Sequence, residues 1–454
     1  MPSSSRTLLL GPPGCGKTTR LLTEVEARLA AGVPPARVAF LSFTRAAVRV
    51  AKERAVARFN LQPDDLPNFR TLHSLCFREL GLRRADVFDR ASLAGLADLT
   101  GEELTGHYDT DAPTLGERGD ALLFLDQYSR NAELTLEEAW RAHGAAIDWY
   151  RLKRFTDAYA GYRRDLDELD FTDMLERFAA DGRPVEVDRV FIDEAQDLTP
   201  LQWRVVRRAF GGAPELWVAG DDDQCVHSWA GASVRELLEF EGRREVLSRS
   251  YRLPRAVFDL AATVAGRIRQ RHQKVFLPTD RPGLVEWLRR PEEVDLSTGT
   301  WLLLARTRRQ LAELTTIARD QGVVYRVGGA VSVDPTHVAL IQEHEAARKL
   351  SPALPIWHDA LTEIPVAERE YLVACRRRGE SLTKPPRVRI STVHGAKGDE
   401  ADRVLLLTEL NERVLRGRDL DPDAEERVLY VGVTRAREAL FLVEPRRAGR
   451  GWAV

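Results

Sequence analysis

The chain has 454 residues, 67 of them Lys or Arg and 69 Asp or Glu, for a formal net charge of −2. That length exceeds one typical domain, so two to four packed units are expected. No apolar run is long enough to span a bilayer, no N-terminal signal pattern is present, and Cys15, Cys76, Cys225 and Cys375 form no zinc or disulfide spacing. A cytoplasmic protein with reduced, metal-free thiols is expected, and the balanced charge neither supports nor excludes a nucleic-acid partner.

The first stretch sets the frame. Thr7–Leu10 is a short apolar run, Gly11–Thr18 reads GPPGCGKT, and Thr19–Leu29 is amphipathic. Strand, glycine turn and helix in that order match the phosphate-binding loop, whose backbone N–H groups converge on phosphate oxygens. The nucleotide-holding set is Gly11, Pro12, Pro13, Gly14, Cys15, Gly16, Lys17, Thr18 and Thr19, with Lys17 on the β- and γ-phosphates and Thr18 on Mg²⁺. A strand at Arg37–Phe43, a basic helix at Arg45–Arg58 and a helix at Thr71–Leu80 follow. From about Leu82 to Asp165 strand signals vanish, and an all-helical insertion with Trp140 and Trp149 as anchors is expected. Strands resume at Arg189–Ile192 and Glu215–Ala219. A second α/β set follows Tyr251–Pro254, with strands at Thr300–Ala305, Gly322–Val327, Val388–Thr392 and Arg403–Leu407 and a helical interruption from Asp334 to Pro386.

Two polar clusters follow strands of the first set. VFIDEAQD (Val190–Asp197) puts an acidic pair at a strand's carboxyl end, with Asp193 to hold Mg²⁺ and Glu194 to orient and deprotonate water. LWVAGDDDQCVHSWAGA (Leu216–Ala232) puts Gln224 within reach of a γ-phosphate and Trp229 beyond it, suited as an exposed indole to stack on a nucleobase. Arg252 in SYRLP and Arg435 in YVGVTRARE lie in the second set, as γ-phosphate-sensing cations would.

Taken together, GPPGCGKT, FTRAA, TLHSLC, LDFTDML, IDEAQD, GDDDQCVHSWAGA, SYRLP, STVHGAKGDE and YVGVTRA resemble, in order, the motifs of the UvrD/Rep/PcrA-like family of superfamily 1 DNA helicases. The resemblance implies an α/β fold of two RecA-like parallel-sheet domains, each with a mainly helical insertion, the second one short. It also implies ATP in the cleft between the domains, single-stranded DNA and its junctions with duplex as partners, and ATP-driven 3′→5′ movement by a monomer. The first domain would comprise residues 1–82 and 166–249, with its insertion at 83–165; the second would comprise 250–333 and 388–454, with its insertion at 334–387. By motif, Lys17, Thr18, Asp193, Glu194, Gln224, Arg252 and Arg435 match the catalytic set, Tyr251 the residue stacked on adenine, and Glu400 the acidic residue near the ribose. Phe43, Thr44, Thr71, His73, Trp229, Thr392 and His394 fall on strand-contacting motifs.

The chain departs from the family pattern in four places. No glutamine precedes Gln62, so adenine is expected to be held by stacking and nucleotide preference to be relaxed. His227 and Ala230 stand where the family usually has Tyr and Arg, so one aromatic and one cation are expected to be lost near the strand. The short second insertion implies reduced duplex contact. RRAGRGWAV (Arg446–Val454) is expected as a stub of the family's strand-splitting hairpin with Trp452 at its tip, or else as a disordered tail. The expected function is an ATP-dependent helicase in replication, repair or recombination, with a DNA-stimulated ATPase subunit of a larger assembly as the alternative.

Overall fold

Strand β1 (Ser5–Leu10) is a run of leucines buried on both faces, as parallel strands covered by helices are. It is joined by β2 (Val38–Ser42), β3 (Phe69–Arg70), β4 (Arg189–Asp193), β5 (Glu215–Gly220) and β6 (Arg243–Val246) in a sheet of order β3-β2-β4-β5-β1-β6. The register aligns the strand ends. Ser42 lies opposite Asp193, and Leu10 lies opposite both Gly220 and Val246. The segments after β1, β2, β4 and β5 therefore start from one sheet edge, the edge where ligands gather in open α/β sheets. The computed structural model describes residues 5–106, 119–143, 146–452 and 454.

Four helices between β3 and β4, at Arg90–Thr100, Gly119–Asn131, Leu136–His143 and Trp149–Leu166, bury their own core around Leu96, Leu122, Ile147, Leu152 and Phe155. Trp140 and Trp149 pack in it with ring centroids 5.5 Å apart, and the Trp140 indole donates to the Ile147 carbonyl at 2.7 Å. Residues 107–118 and 144–145 of the expected insertion lie outside the described residues. A buried ionic hub fastens this core to the helix Phe171–Asp181. The Asp170 carboxylate accepts from Arg130 at 2.9 and 3.0 Å, from the Tyr159 hydroxyl at 2.8 Å, and from Arg163, whose guanidinium lies 3.9 Å over the Tyr159 ring. Leaving such a buried charge unpaired costs about 3–5 kcal/mol.

The chain divides into two units, and the division differs from the domain limits read in the sequence. Residues 268–277 and 417–427 cluster with residues 1–251 rather than with the second unit. The reason is a set of ion pairs and hydrogen bonds. Lys274, with a fully buried side chain, donates to Asp221 at 3.0 Å, to Asp222, and approaches Asp223 at 3.1 Å. Arg271 makes a bidentate pair with Asp223 at 2.8 and 2.7 Å. Arg427 donates to the Asp222 carbonyl at 3.0 Å, and Asp423 accepts from the backbone of Arg269 and Gln270 at 3.1 and 2.8 Å.

The second unit is built on β7 (Leu284–Leu288), β8 (Trp301–Ala305), β9 (Tyr325–Val327), β10 (Ala330–Val331), β11 (Val388–Thr392), β12 (Ala401–Leu407) and β13 (Ala436–Val443). Their order is β10-β9-β11-β8-β12-β13-β7, parallel except for β10 against β9. Helices at Pro335–Leu350, Trp357–Ala360 and Val366–Arg377 form the second insertion around Ile341, Trp357, Ile364 and Leu372. The segment after β13 is neither a projecting hairpin nor a loose tail. It folds back on the end of β12, with Arg450 accepting from Leu410 at 2.7 Å and Trp452 donating to Thr408 at 3.1 Å, and Trp452 is buried. Both expectations for it are overturned, because an indole at that position gains more from burial than from solvent.

Candidate nucleotide and nucleic-acid site

The loop after β1 turns on glycines. Gly14 and Gly16 have φ of 71° and 84°, the left-handed region that costs glycine little, and Gly16 starts the helix Lys17–Ala30. A Cβ on Gly11 would stand 3.0 Å from the Leu247 carbonyl oxygen, so this approach requires glycine. Lys17 is buried, and its ammonium donates to the loop's own Gly11 and Pro12 carbonyls at 2.7 and 3.2 Å. Burial alone would lower its pKa, but Cys15, Asp221, Glu194 and Asp193 more than offset this and raise it.

Thr18 donates to the Asp193 carboxylate at 2.7 Å. Burial, then the neighbouring Glu194, push the Asp193 pKa up to about 7 against the pull of Thr18 and Lys17. This hydroxyl and carboxylate at the mouth of a glycine cradle are hard oxygen donors of the kind Mg²⁺ takes beside phosphates. Glu194 is one of four non-glycine residues among those described with positive φ, at 55°. Such strain, on the order of 1–3 kcal/mol, persists where surrounding contacts enforce it. Here the Glu194 N–H donates to Asp193 Oδ1 at 3.1 Å and the Glu194 carbonyl accepts from the Asp197 N–H at 3.1 Å, while the side chain is held by Gln196. Its amide N–H donates to Glu194 Oε2 at 2.5 Å, and its carbonyl accepts from the Asp221 backbone N–H at 3.1 Å. Asp221 in turn accepts from Gln224 Nε2 at 2.7 Å. Burial works against the charge on Asp221, yet Lys274, Lys17 and Gln224 hold its pKa below the ordinary carboxylate range.

Asp221, Asp222 and Asp223 bring their oxygens close enough to hold a cation, and the cation among them is the Lys274 ammonium. Gln196 and Asp221 stand in motifs quoted from the sequence, but nothing local marked Lys274, whose role depends on a partner some fifty residues away in the chain.

Tyr251 exposes 70% of its surface, while its backbone N–H donates to the Gly14 carbonyl at 2.8 Å and the Ser250 hydroxyl donates to Pro13 at 2.8 Å. The ring is thus held beside the phosphate loop with its face open. The structure brings Lys17, Thr18, Asp193, Glu194, Gln224 and Tyr251 together in the first unit.

Arg252, Arg435 and Glu400 belong to the second unit. Arg435 is fully buried and donates to the Val431 carbonyl at 2.9 Å, the Thr434 hydroxyl at 3.0 Å and the Asp399 carbonyl at 3.2 Å. Arg252 and Arg437 both pair with Glu400, and Arg252 reaches the Thr434 carbonyl at 3.5 Å. Thr392 and His394 are buried where β11 ends, with Thr392 Oγ1 accepting from Gly395 at 3.2 Å.

The remaining strand-contacting candidates lie in the first unit. Phe43 is 46% exposed and stacks on His227 with centroids 5.5 Å apart and planes at 19°. The imidazole therefore keeps a ring at the position where the sequence suggested that an aromatic was lost. Trp229 meets His227 edge-on at 6.1 Å and stacks on Phe124 of the helical insertion at 6.2 Å. It is half-buried rather than exposed, because the insertion covers one face. Thr44 and Thr71 cap helices, accepting from Ala47 at 3.2 Å and Ser74 at 3.4 Å. Burial pulls the His73 pKa down to about 4, which leaves the ring neutral near pH 7, and the ring lies edge-on to Phe171 at 5.8 Å. Phe43, Thr71 and His73 line a cavity of about 120 Å³ whose wall also includes Asp193.

Comparison with known proteins supplies a family. Residues 1–245 match the UvrD/REP helicase N-terminal domain and residues 366–446 the UvrD-like helicase C-terminal domain. The ATP-dependent DNA helicase UvrD2 of Mycobacterium tuberculosis is 29% identical over 356 residues, covering 60% of this chain and 51% of that protein. The ATP-dependent DNA helicase PcrA of Bacillus subtilis is 28% identical over 252 residues, covering 52% of this chain and 33% of that protein. The chain spans about half the length of the first of these relatives and less of the second. A solved structure of Arterivirus nonstructural protein 10 (helicase) overlays 97% of this chain and 59% of that one at 13% identity, with a TM-score of 0.36, too loose to argue from. With the first match covering more than half of its residues, and the glycine cradle, DEAQD strut and GDDDQ loop assembled within that span, the chain belongs to the UvrD/REP helicase family.

Proposed function

We propose that the protein hydrolyses ATP and uses the energy to move 3′→5′ along single-stranded DNA, separating duplex in replication, repair or recombination. The observation that carries this reading is the cavity shared by Asp193 and the strand-contacting candidates Phe43, Thr71 and His73. A change at the hydrolytic carboxylates is then felt directly where a base would lie. The chain between Gln224 and Trp229 supports the same coupling, since one end is tied to Asp221 and the other to the ring row.

In this reading Lys17 exchanges the Gly11 and Pro12 carbonyls for the β- and γ-phosphates. Thr18 and Asp193 would hold Mg²⁺, which would supply neutralising charge to the phosphate oxygens. Glu194 accepts a proton from the attacking water, Gln224 contacts the γ-phosphate, and Tyr251 stacks on the base of the nucleotide. Arg252 and Arg435 are the second unit's γ-phosphate sensors, with Glu400 releasing Arg252 when the ribose is bound. Phe43, His227 and Trp229 offer π faces that accept any base, so sequence preference is expected to be slight.

The test is strand separation on partial duplexes with a 3′ tail, a 5′ tail or none, with ATP hydrolysis followed in the same samples. Unwinding from the 3′ tail only, with hydrolysis stimulated by single strands, is expected; no stimulation by DNA would sink the reading. The return of the segment after β13 onto β12, with Trp452 buried, favours a second reading. In that reading the protein is a DNA-stimulated ATPase or translocase subunit of a larger assembly, and hydrolysis without unwinding would select it.

A further inference from the structure

A second polar cavity, of about 670 Å³, lies in the second unit at the carboxyl ends of β8, β12, β13 and β7, four neighbouring strands of one sheet. None of the residues assigned above lines it. Its walls carry six arginines, Arg289 and Arg290 after β7, Arg309 after β8, and Arg446, Arg447 and Arg450 after β13, against four glutamates. Arg446 and Arg450 are anchored to Glu313 and Glu412 at 2.5 and 2.8 Å, and Arg290 lies 3.8 Å from Glu293. Among the described residues, Arg289, Arg309 and Arg447 are exposed and form no ion pair with a carboxylate. The loop bearing Arg446, Arg447 and Arg450 is fixed at its far end by the Leu410–Arg450 and Trp452–Thr408 hydrogen bonds, so its guanidinium groups are presented from an ordered backbone.

We propose that this arginine notch binds the sugar–phosphate backbone of duplex DNA. The inference rests on the proposed function for the choice of DNA. The ligand is anionic because six arginines face four glutamates in the lining and, among the described residues, three of those arginines are engaged in no ion pair. None of the described lining residues is aromatic, so the notch has no platform for a splayed base, in contrast to the Phe43–His227–Trp229 row. Duplex DNA presents its phosphates outward and hides its bases.

The test is a triple variant, Arg289→Gln, Arg309→Gln and Arg447→Gln, compared with the parent on a blunt duplex and on oligo-dT across a salt series, with melting temperature as the folding control. Duplex affinity is expected to fall about ten-fold, with the slope of log K against log salt reduced by about 2–3, one counterion per lost contact. Oligo-dT affinity and oligo-dT-stimulated hydrolysis should stay at the parent level. Unchanged duplex affinity overturns the proposal, and so does an equal loss on duplex and oligo-dT. So does displacement of the duplex from the parent by inorganic tripolyphosphate at stoichiometric concentration, which would mark a site for free polyphosphate. If the parent shows no DNA-stimulated hydrolysis, the proposed function fails while the duplex arm still reads this notch.

Discussion

The two sheets share a parallel topology and present loops at their carboxyl edges, yet the edges carry opposite chemistry. The first unit holds the carboxylates Asp193, Glu194 and Asp221–Asp223, and the cations nearest them are buried. Lys17 lies on loop carbonyls and Lys274 among three aspartates. The second unit holds arginines, with Arg435 pinned by backbone carbonyls and Arg252 parked on Glu400. The comparison teaches that the metal-binding and proton-accepting groups proposed for hydrolysis stand in one unit and the charge-sensing groups in the other. On the proposed reading neither unit holds a complete set, and hydrolysis would depend on residues of both.

The sharpest way to break that comparison is to remove one group from each side. Glu194→Gln and Arg252→Ala should each lower DNA-stimulated hydrolysis by about 10³-fold, within the ranges for a lost general base and a lost arginine finger. Steady-state turnover on oligo-dT measures it, and an Arg252→Ala enzyme near the parent rate would leave hydrolysis to the first unit alone. A second cut tests how the first unit holds its own charges. Lys274→Met leaves three aspartates around an uncharged side chain and should cost about 3–5 kcal/mol in urea denaturation. A loss under 1 kcal/mol would mean that the aspartates find other partners, Arg271 first among them. The smallest effect is expected at the ring row. Phe43→Ala removes the exposed partner of His227 and should weaken oligo-dT binding by about ten-fold, in line with roughly 1–3 kcal/mol per stacked base. Unaltered binding would reassign the stack to packing.

Much of this was legible in the sequence because it is local. A leucine strand, a glycine turn and a helix are contiguous, and the acidic pairs follow apolar runs directly. The strands that escaped notice lie at sheet edges or carry charge. Three of the four residues of Arg243–Val246 are charged, and Leu284–Leu288 interposes Glu286 and leaves Leu284 and Trp287 exposed. The strand expected over Gly322–Val327 shrinks to Tyr325–Val327, because Gly322 takes a φ of 62° to turn the chain. Assignment of residues 268–277 and 417–427 to the first unit was not legible at all. It rests on ion pairs and hydrogen bonds between distant segments, and no periodicity encodes them. The exposure of Trp229 was misjudged for a related reason, since the face that is covered is covered by a helix more than a hundred residues earlier.

The single glutamine between Glu194 and Asp221 has a consequence for specificity of another kind. A carboxamide has two unlike ends, and here their assignment is forced. The Asp221 backbone N–H can only donate, so the Gln196 carbonyl must face it and the NH₂ must face Glu194. Glu194 is thereby met by a donor and presents that oxygen as an acceptor, the form a water-activating group needs. The strut tolerates neither glutamate, which would set two carboxylates together, nor an apolar residue, which would strand the Asp221 amide. One side chain thus writes a direction into the site and ties the DEAQD segment to the GDDDQ segment.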